Sequence, residues 1–221
     1  MTAVLLVIIA VIAYTMGSIS TPNVTSHLIF HENIQKYSRD NVGITRFMMR
    51  HGRGGLVKLI LAELIKTAIP VLIGGLLMLI VGHAQIGYAF ALFCVVLGTN
   101  FPIMYDFRGE HSLLALMMGT FFVSSEVAIA GIFVFVVMYF VSRYISASAM
   151  LASLFMFVVA VMSIDDSLVI YIFGFTNLLV IVEYRKSIIR LFKHKEPKFR
   201  YKQDVSFMFD DDFGSGDEIK K

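Results

Sequence analysis

The chain of 221 residues has a single cysteine, Cys94, which lies inside an apolar run. One thiol cannot form an intramolecular disulfide, and it offers no cysteine cluster for a metal ion. We therefore interpret Cys94 as a small hydrophobic residue facing the core or the lipid. His27 and His31 could share a helix face, but no third ligand follows at a convincing spacing, so no metal site and no cofactor are predicted.

The chain also has little charge. Only 16% of its residues are charged, 57% are hydrophobic, and the mean hydropathy is +0.78. These values are far from those of a soluble domain and predict an integral membrane protein. The formal net charge of +3 is concentrated near the membrane, where it suits lipid headgroups and topology as well as an anionic substrate. The expected partners are therefore membrane lipids and not nucleic acid.

Lysine and arginine are missing from alternate stretches of the chain. Eighteen of the 19 fall in four places, namely 36–58, Arg108, Arg143 and 185–221, and Lys66 is the exception. The connections between them carry only His83, Glu126 and the Asp165-Asp166 pair as ionisable groups. Because cytoplasmic loops retain Lys and Arg, the four basic places are predicted to face the cytoplasm.

No Lys or Arg precedes the first apolar run, so it is read as an uncleaved span with the N-terminus outside. The fold class predicted is an all-α integral membrane bundle of about seven transmembrane helices with a cytoplasmic C-terminus. Residues 1–199 are expected to form the membrane domain, and 200–221 a polar, acidic, disordered cytoplasmic tail. The predicted spans are 4–14, 56–81, 86–104, 113–123, 127–141, 147–162 and 168–182.

The first basic connection, about 35 residues from Ser20, is too long for a simple connector. Asn41 and Thr45 offer neutral hydrogen bonds, and Arg46 and Arg50 offer guanidinium groups suited to phosphate, with glycines 52, 54 and 55 close behind. Such a set suits an anionic headgroup or a phosphorylated substrate. A basic loop beside the membrane, with glycines in its turns and no binding role, would show the same residues.

The second basic connection contains Gly98, then Phe101-Pro102, then Phe107-Arg108-Gly109. Pro102 is expected to break or kink the end of the third span. This arrangement resembles the bacterial membrane acyl-phosphate:glycerol-3-phosphate acyltransferases, whose pattern runs Gly-His-x-Phe-Pro and then Phe-Lys-Gly-Gly-Lys-Gly.

Further matches to that family follow in its order along nearly the whole chain. They are Gly-Ser-Ile at 17–19, Asn-Val-Gly-Ile-Thr at 41–45, Glu-Leu-Ile-Lys at 63–66 with Pro70, Arg-Tyr-Ile-Ser at 143–146 and Glu-Pro-Lys at 196–198. The family's seven-span fold with the N-terminus outside agrees with the topology predicted from charge.

The departures from the family pattern fall at its working motifs. The first loop has Arg39 for the family's Ser, with Ser38 adjacent, and Met49 for an Arg, with Arg50 adjacent. In the phosphate loop Lys-Gly-Gly-Lys-Gly becomes Arg-Gly-Glu-His-Ser at 108–112, and His becomes Thr99. The family's His-x-x-Asn becomes Tyr-Arg-Lys-Ser at 184–187. Glu110 adds a negative charge where phosphate would bind, and His111 is positive only when protonated.

The resemblance implies transfer of a fatty acyl group from acyl phosphate to glycerol 3-phosphate, giving lysophosphatidic acid in phospholipid biosynthesis. It places the multi-pass enzyme in the bacterial plasma membrane, with its site on the cytoplasmic side, beside the enzyme that supplies acyl phosphate. The catalytic residues it implies are Ser38, Arg50 and His111. The implied substrate-binding residues are Asn41, Thr45, Arg46, Arg108, Gly109, Arg143, Tyr184 and Ser187.

Two other readings remain open. A catalytically impaired member could keep the fold and act as a lipid-binding, phosphate-binding or regulatory membrane protein. Glu63 and Lys66 are ionisable residues within a span, which is a flag for transport. Their i,i+3 spacing near the cytoplasmic end also permits a local ion pair or snorkelling, and that is the interpretation we prefer.

Overall fold

The computed structural model describes residues 1–31, 44–103, 109, 112–142 and 144–184, with the backbone alone at 30, 44–46, 48–53 and 145. The described residues form eight α-helices and no strand. In chain order these are α1 (Thr2–Gly17), α2 (Thr21–Phe30), α3 (Ile44–Leu79), α4 (Ala84–Asn100), α5 (Leu113–Val123), α6 (Ser125–Ser142), α7 (Ile145–Ser163) and α8 (Ser167–Glu183).

The predicted all-α class is confirmed, and every predicted span overlaps a helix. Helix α5 coincides with the predicted run at both ends, and α4 ends at Asn100, directly before Phe101-Pro102, as the proline predicts. Two helical stretches, Ser125–Ser142 and Ser146–Ser163, are each long and apolar enough to cross a membrane. The bent pair α1 and α2 passes the same test when taken together, while α4, α5 and α8 are shorter apolar helices. The count of seven crossings and the sides of the two termini stay predictions.

The long first loop predicted from Ser20 is wrong at both of its ends. Helix α2 occupies its beginning, with Ser20 extended before it and Pro22 in its first turn, where a missing N–H costs nothing. Helix α3 begins at Ile44, so its 36 residues span about 54 Å, well beyond a bilayer core of about 30 Å. Thr45, Arg46 and Arg50 therefore lie on a helix, and so do glycines 52, 54 and 55, which the sequence analysis had placed in the first loop.

The outer face of the bundle is apolar, and polar groups lie inside. Large hydrophobic side chains face outwards with most of their surface exposed, among them Phe133, Phe140 and Tyr171. Glu63, Lys66 and Asn177, by contrast, are buried. A water-soluble protein shows the opposite distribution, whereas a bundle surrounded by lipid tails has no reason to hide its apolar side chains.

Small residues set how closely the helices approach. A Cβ atom placed on any of five helix glycines would overlap a neighbouring helix; these are Gly74, Gly75, Gly119, Gly131 and Gly174. Ala149 is fully buried, and Cys94 is buried in the core. Close helix packing of this kind supplies the contact energy that a lipid environment does not.

Candidate functional site

The ends of α1, α4 and α8 and the start of α5 lie together at one end of the bundle. The hydroxyl of Tyr14 donates to the Phe101 carbonyl at 2.6 Å, and Ser112 donates to Glu183. Ser153, about two turns into α7, donates to Asn177 near the end of α8, so α7 starts at the same end. The connections that carry Arg108 and Arg143 and the segment after α8 leave from there. We call it the basic end.

At the basic end α1 and α4 touch backbone to backbone. A Cβ on Gly17 would overlap the Val95 carbonyl, and a Cβ on Gly98 would overlap the Tyr14 carbonyl. Thr99, which stands where the family pattern has histidine, is 5% exposed, and its hydroxyl lies 3.2 Å from the Gly17 carbonyl and 2.9 Å from that of Val95. Thr99 therefore joins the two helices through its hydroxyl.

Gly109 is the described residue of the sequence 108–111, and it packs on the C-terminal end of α4. A Cβ there would overlap the carbonyl groups of Asn100 and Thr99. Position 109 therefore requires glycine for a steric reason. Arg108, Glu110 and His111 lie outside the described residues.

Asn100 is a polar residue of this end that sequence reading did not single out. It is 7% exposed, and its Oδ1 atom has no hydrogen-bond partner among the described residues. A buried acceptor left unpaired costs about 1–3 kcal/mol. Its place as the last residue of α4, beside Gly109, makes it a candidate to contact a bound polar group.

Glu183, at the end of α8, holds the start of α5. Its Oε2 atom accepts from the Ser112 backbone N–H at 3.1 Å and from the Ser112 hydroxyl at 2.8 Å. A carboxylate at a helix N-terminus satisfies an orphan N–H and complements the helix dipole. Glu183 was missed in the sequence. The feature that could have indicated it is an acidic residue at the end of an apolar span, next to Tyr184.

Tyr184, predicted as a headgroup contact, is 2% exposed and packs in the hydrophobic core as the residue that ends α8. The first turns of α3 place positions 46, 50 and 53 on one helix face by their spacing, and Phe47 beside them is fully buried. The predicted site residues that lie outside the described part of the chain are Ser38, Asn41, Arg108, His111, Arg143 and Ser187.

The corner between α6 and α7 is held by serine hydroxyls on either side of Arg143. Ser142 donates to the Met138 carbonyl at 2.7 Å and lies 3.2 Å from the Ser148 hydroxyl. The Tyr144 N–H donates to Ser142 at 3.3 Å, and Ser148 donates to the Tyr144 carbonyl at 2.9 Å. These bonds fix the backbone that flanks Arg143 at the basic end.

Comparisons with known proteins agree with this architecture. The family model described as glycerol-3-phosphate acyltransferase matches residues 7–194. A glycerol-3-phosphate acyltransferase of Syntrophotalea carbinolica is 27% identical over 189 residues, which cover 85% of this chain and 94% of the relative. One of Clostridioides difficile is 26% identical over 204 residues, covering 90% and 97%.

Two solved structures share the fold. Both are of PlsY (YgiH), an integral membrane glycerol 3-phosphate acyltransferase. Its glycerol 3-phosphate form superposes with a TM-score of 0.76 at 22% identity, covering 92% of this chain and 98% of that one. Its lysophosphatidic acid form gives 0.75 at 21% identity, covering 88% and 95%. The match of the family model over most of the chain shows that this protein belongs to the glycerol-3-phosphate acyltransferase family.

Proposed function

We propose that this protein acylates glycerol 3-phosphate with acyl phosphate as the donor, at the basic end of the bundle. The observation that carries the proposal is Gly109. It stays glycine, packed on the end of α4 where a Cβ would overlap carbonyl groups, although its neighbours depart from the family's phosphate loop. The loop that the resemblance assigns to phosphate binding therefore keeps a residue that must be glycine for a steric reason.

The chemistry asks mainly for positioning and charge. A hydroxyl oxygen of glycerol 3-phosphate attacks the acyl carbonyl carbon, and the bond from that carbon to the phosphate oxygen breaks. The phosphate takes up the hydroxyl proton and leaves as hydrogen phosphate. Lysophosphatidic acid is the other product. Two anionic substrates must meet, so the protein lowers the barrier by orienting them and by stabilising the charge that moves onto the leaving phosphate.

On this proposal Arg108, Gly109 and His111 contact the acyl phosphate, with His111 and Ser38 near the reacting groups. Asn41, Thr45, Arg46 and Arg50 hold glycerol 3-phosphate, with Arg143, Tyr184 and Ser187 beside them. The location of positions 46 and 50 on one face of α3 supports the second group, because two guanidinium groups one turn apart suit a phosphate. Burial of Tyr184 limits that residue to a contact from the core side.

Charge placement supports a cytoplasmic site in the bacterial plasma membrane. All the basic connections belong to the basic end, and cytoplasmic loops retain Lys and Arg. The N-terminus is then outside, seven crossings follow, and residues 200–221 form a cytoplasmic tail beyond the membrane domain of 1–199. Acyl phosphate would come from a cytoplasmic or peripheral enzyme that makes it.

The second candidate is a family member without turnover that binds lipid or phosphate. The observation favouring it is that Ser112, at the last position of the altered phosphate loop, already has its N–H and hydroxyl bonded to Glu183. Those two donors are then unavailable to a substrate phosphate.

Turnover by purified protein in lipid nanodiscs separates the two candidates. Radiolabelled glycerol 3-phosphate is given with palmitoyl phosphate or with palmitoyl-CoA, and lysophosphatidic acid is measured. We expect product from palmitoyl phosphate and none from palmitoyl-CoA, and loss of that product in Arg108→Ala. Little change is expected in Lys220→Ala, which removes a cation of the tail beyond the proposed membrane domain. A folded protein that makes no product beside an active relative would establish the second candidate.

A further inference from the structure

Glu63 and Lys66 form an ion pair inside the bundle, as the i,i+3 spacing predicted. The Lys66 ammonium lies 2.9 Å from Glu63 Oε1, and both residues are 7% exposed. Burying two charges costs free energy, which a single pair contact rarely recovers. Further polar partners are therefore needed to offset the cost of burying Glu63 and Lys66.

Both ions have a second partner, and both partners lie at the break between α1 and α2. The Lys66 ammonium donates to the Ile19 carbonyl at 3.3 Å. The other oxygen of Glu63 accepts from the Thr21 hydroxyl. Thr21 is the first residue of α2, and Ile19 lies just after the end of α1 at Gly17. The pair thus connects α3 to the break itself.

Each charge has the sign that its helix end favours. The last carbonyls of a helix carry partial negative charge, and the first N–H groups carry partial positive charge. Lys66 lies at the C-terminal side of α1, and Glu63 at the N-terminal side of α2. The two ions therefore complement the two dipole ends that meet at the break, in addition to each other.

This contact decides where α2 points. The axes of α1 and α2 differ by 57° across the break, and α2 ends at Phe30, directly before the connection that contains Ser38 and Asn41. Thr21 and Thr25 of α2 are buried at 3% and 2%, so this helix packs on the bundle along the face that meets α3. A change at Glu63 or Lys66 would therefore change the point from which that connection begins.

We propose that Glu63 and Lys66 are positioning residues that lock α2 at its angle to α1, and that this angle sets the affinity for glycerol 3-phosphate at the basic end. The binding role rests on the proposed function; the lock does not. Glu63 and Lys66 act through the angle of α2. Substitutions there should therefore change the apparent affinity for glycerol 3-phosphate more than the rate of the chemical step.

A charge swap distinguishes this lock from an ordinary ion pair. In Glu63→Lys/Lys66→Glu the pair is kept but both dipole matches are reversed, and a carboxylate faces the Ile19 carbonyl. We expect the swap to be at least as damaging as Glu63→Gln or Lys66→Met. Glu63→Asp should recover most of the function, because the carboxylate stays. Thr67→Val is the matched control, since Thr67 follows Lys66 directly and lies one turn after Glu63 on α3. Thr67 is fully buried, and its hydroxyl has no hydrogen-bond partner among the described residues.

Two readouts are required. Spin labels at Leu28→Cys on α2 and Leu76→Cys on α3, both exposed positions, report the distance between these helices in a Cys94→Ala background. We expect a broadened or shifted distance distribution in Glu63→Gln, Lys66→Met and the swap, and none in Thr67→Val or Glu63→Asp. In turnover, KM for glycerol 3-phosphate should rise on the order of tenfold while kcat stays within about twofold, as expected when binding alone is lost.

Restoration of the distance by the swap would overturn the lock, because a simple pair does not depend on which helix end each charge faces. An unchanged distance in all variants would also overturn it. Should the swap fail to fold, Thr21→Val removes only the hydroxyl that meets Glu63, and a distance unchanged in that variant counts against the proposal. If no variant or parent shows turnover, the distances still decide the lock, and only the proposed function fails. Altered distances with unchanged KM would overturn the binding role.

Discussion

Ser112 gives both of its hydrogen-bond donors, the backbone N–H and the hydroxyl, to a single oxygen of Glu183, at 3.1 and 2.8 Å. Ser112 is fully buried, so neither donor has water as an alternative. The contact joins the end of α8 to the start of α5 and thereby fixes one side of the connection that holds Arg108 and His111.

Ser112→Ala should therefore destabilise the fold by about 1–2 kcal/mol, because a charge-assisted bond at a buried site is lost while the N–H bond remains. Thermal unfolding in detergent can be followed by reaction of the buried Cys94 with a fluorogenic maleimide. Ser163→Ala, at an exposed residue ending α7, is the control. Equal midpoints for the two variants would show that the hydroxyl contributes nothing.

Gly109→Ala should abolish or strongly reduce turnover and displace the chain at 109, since its Cβ would overlap the carbonyls of Thr99 and Asn100. Gly54→Ala is the matched control, because a Cβ there meets nothing within 4 Å and lies on α3. That control should be neutral, or stabilising by about 1 kcal/mol, as alanine favours a helix interior over glycine. Turnover and the unfolding midpoint are measured together, and full activity in Gly109→Ala would contradict the steric argument.

The predicted orientation has a direct chemical test. In a Cys94→Ala background, Thr2→Cys should react with a membrane-impermeant maleimide in intact cells, and Lys221→Cys only after permeabilisation. The reason is that Lys and Arg, concentrated at the basic end and after α8, are retained on the cytoplasmic side. Labelling of both positions in intact cells would mean an even number of crossings.

Removal of residues 200–221 should leave the unfolding midpoint and the turnover of the membrane domain nearly unchanged. The removed segment is polar and carries Asp210, Asp211 and Asp212, a composition that cannot bury enough apolar surface to fold. The truncated and full-length proteins are compared in the same nanodiscs. A lower midpoint or lost turnover would assign the tail a structural or functional contact.

The sequence predicted those parts of the fold that follow from charge and hydropathy. Helix α5 was placed to the residue, because Ser112 and Ser124 bound a mostly apolar run without a charged residue. Helix α2 was missed because its composition is mixed and its stability comes from packing on α3 rather than from periodicity. The early start of α3 was missed because glycines 52, 54 and 55 were taken as residues of the first loop.

Less of the candidate site could be predicted. The family pattern located Gly109, and the structure adds the reason, an overlap with carbonyls of α4. The pairing of Glu183 with Ser112 joins residues far apart in the chain, and no local pattern indicates which helix ends will meet. The resemblance suggested Tyr184 as a polar contact, whereas burial depends on neighbours that one sequence does not reveal.

Pro70 lies within α3, one turn after Lys66. A proline has no N–H, so the carbonyl of Lys66 lacks the helix bond that residue 70 would otherwise donate. The turn from Lys66 to Pro70 therefore has one helix hydrogen bond fewer to resist bending, directly after the ion pair. A bend there would move the first turns of α3, near Ile44, relative to the part of the helix that packs on α4 at Gly74. The ion pair lies between these two parts of the helix.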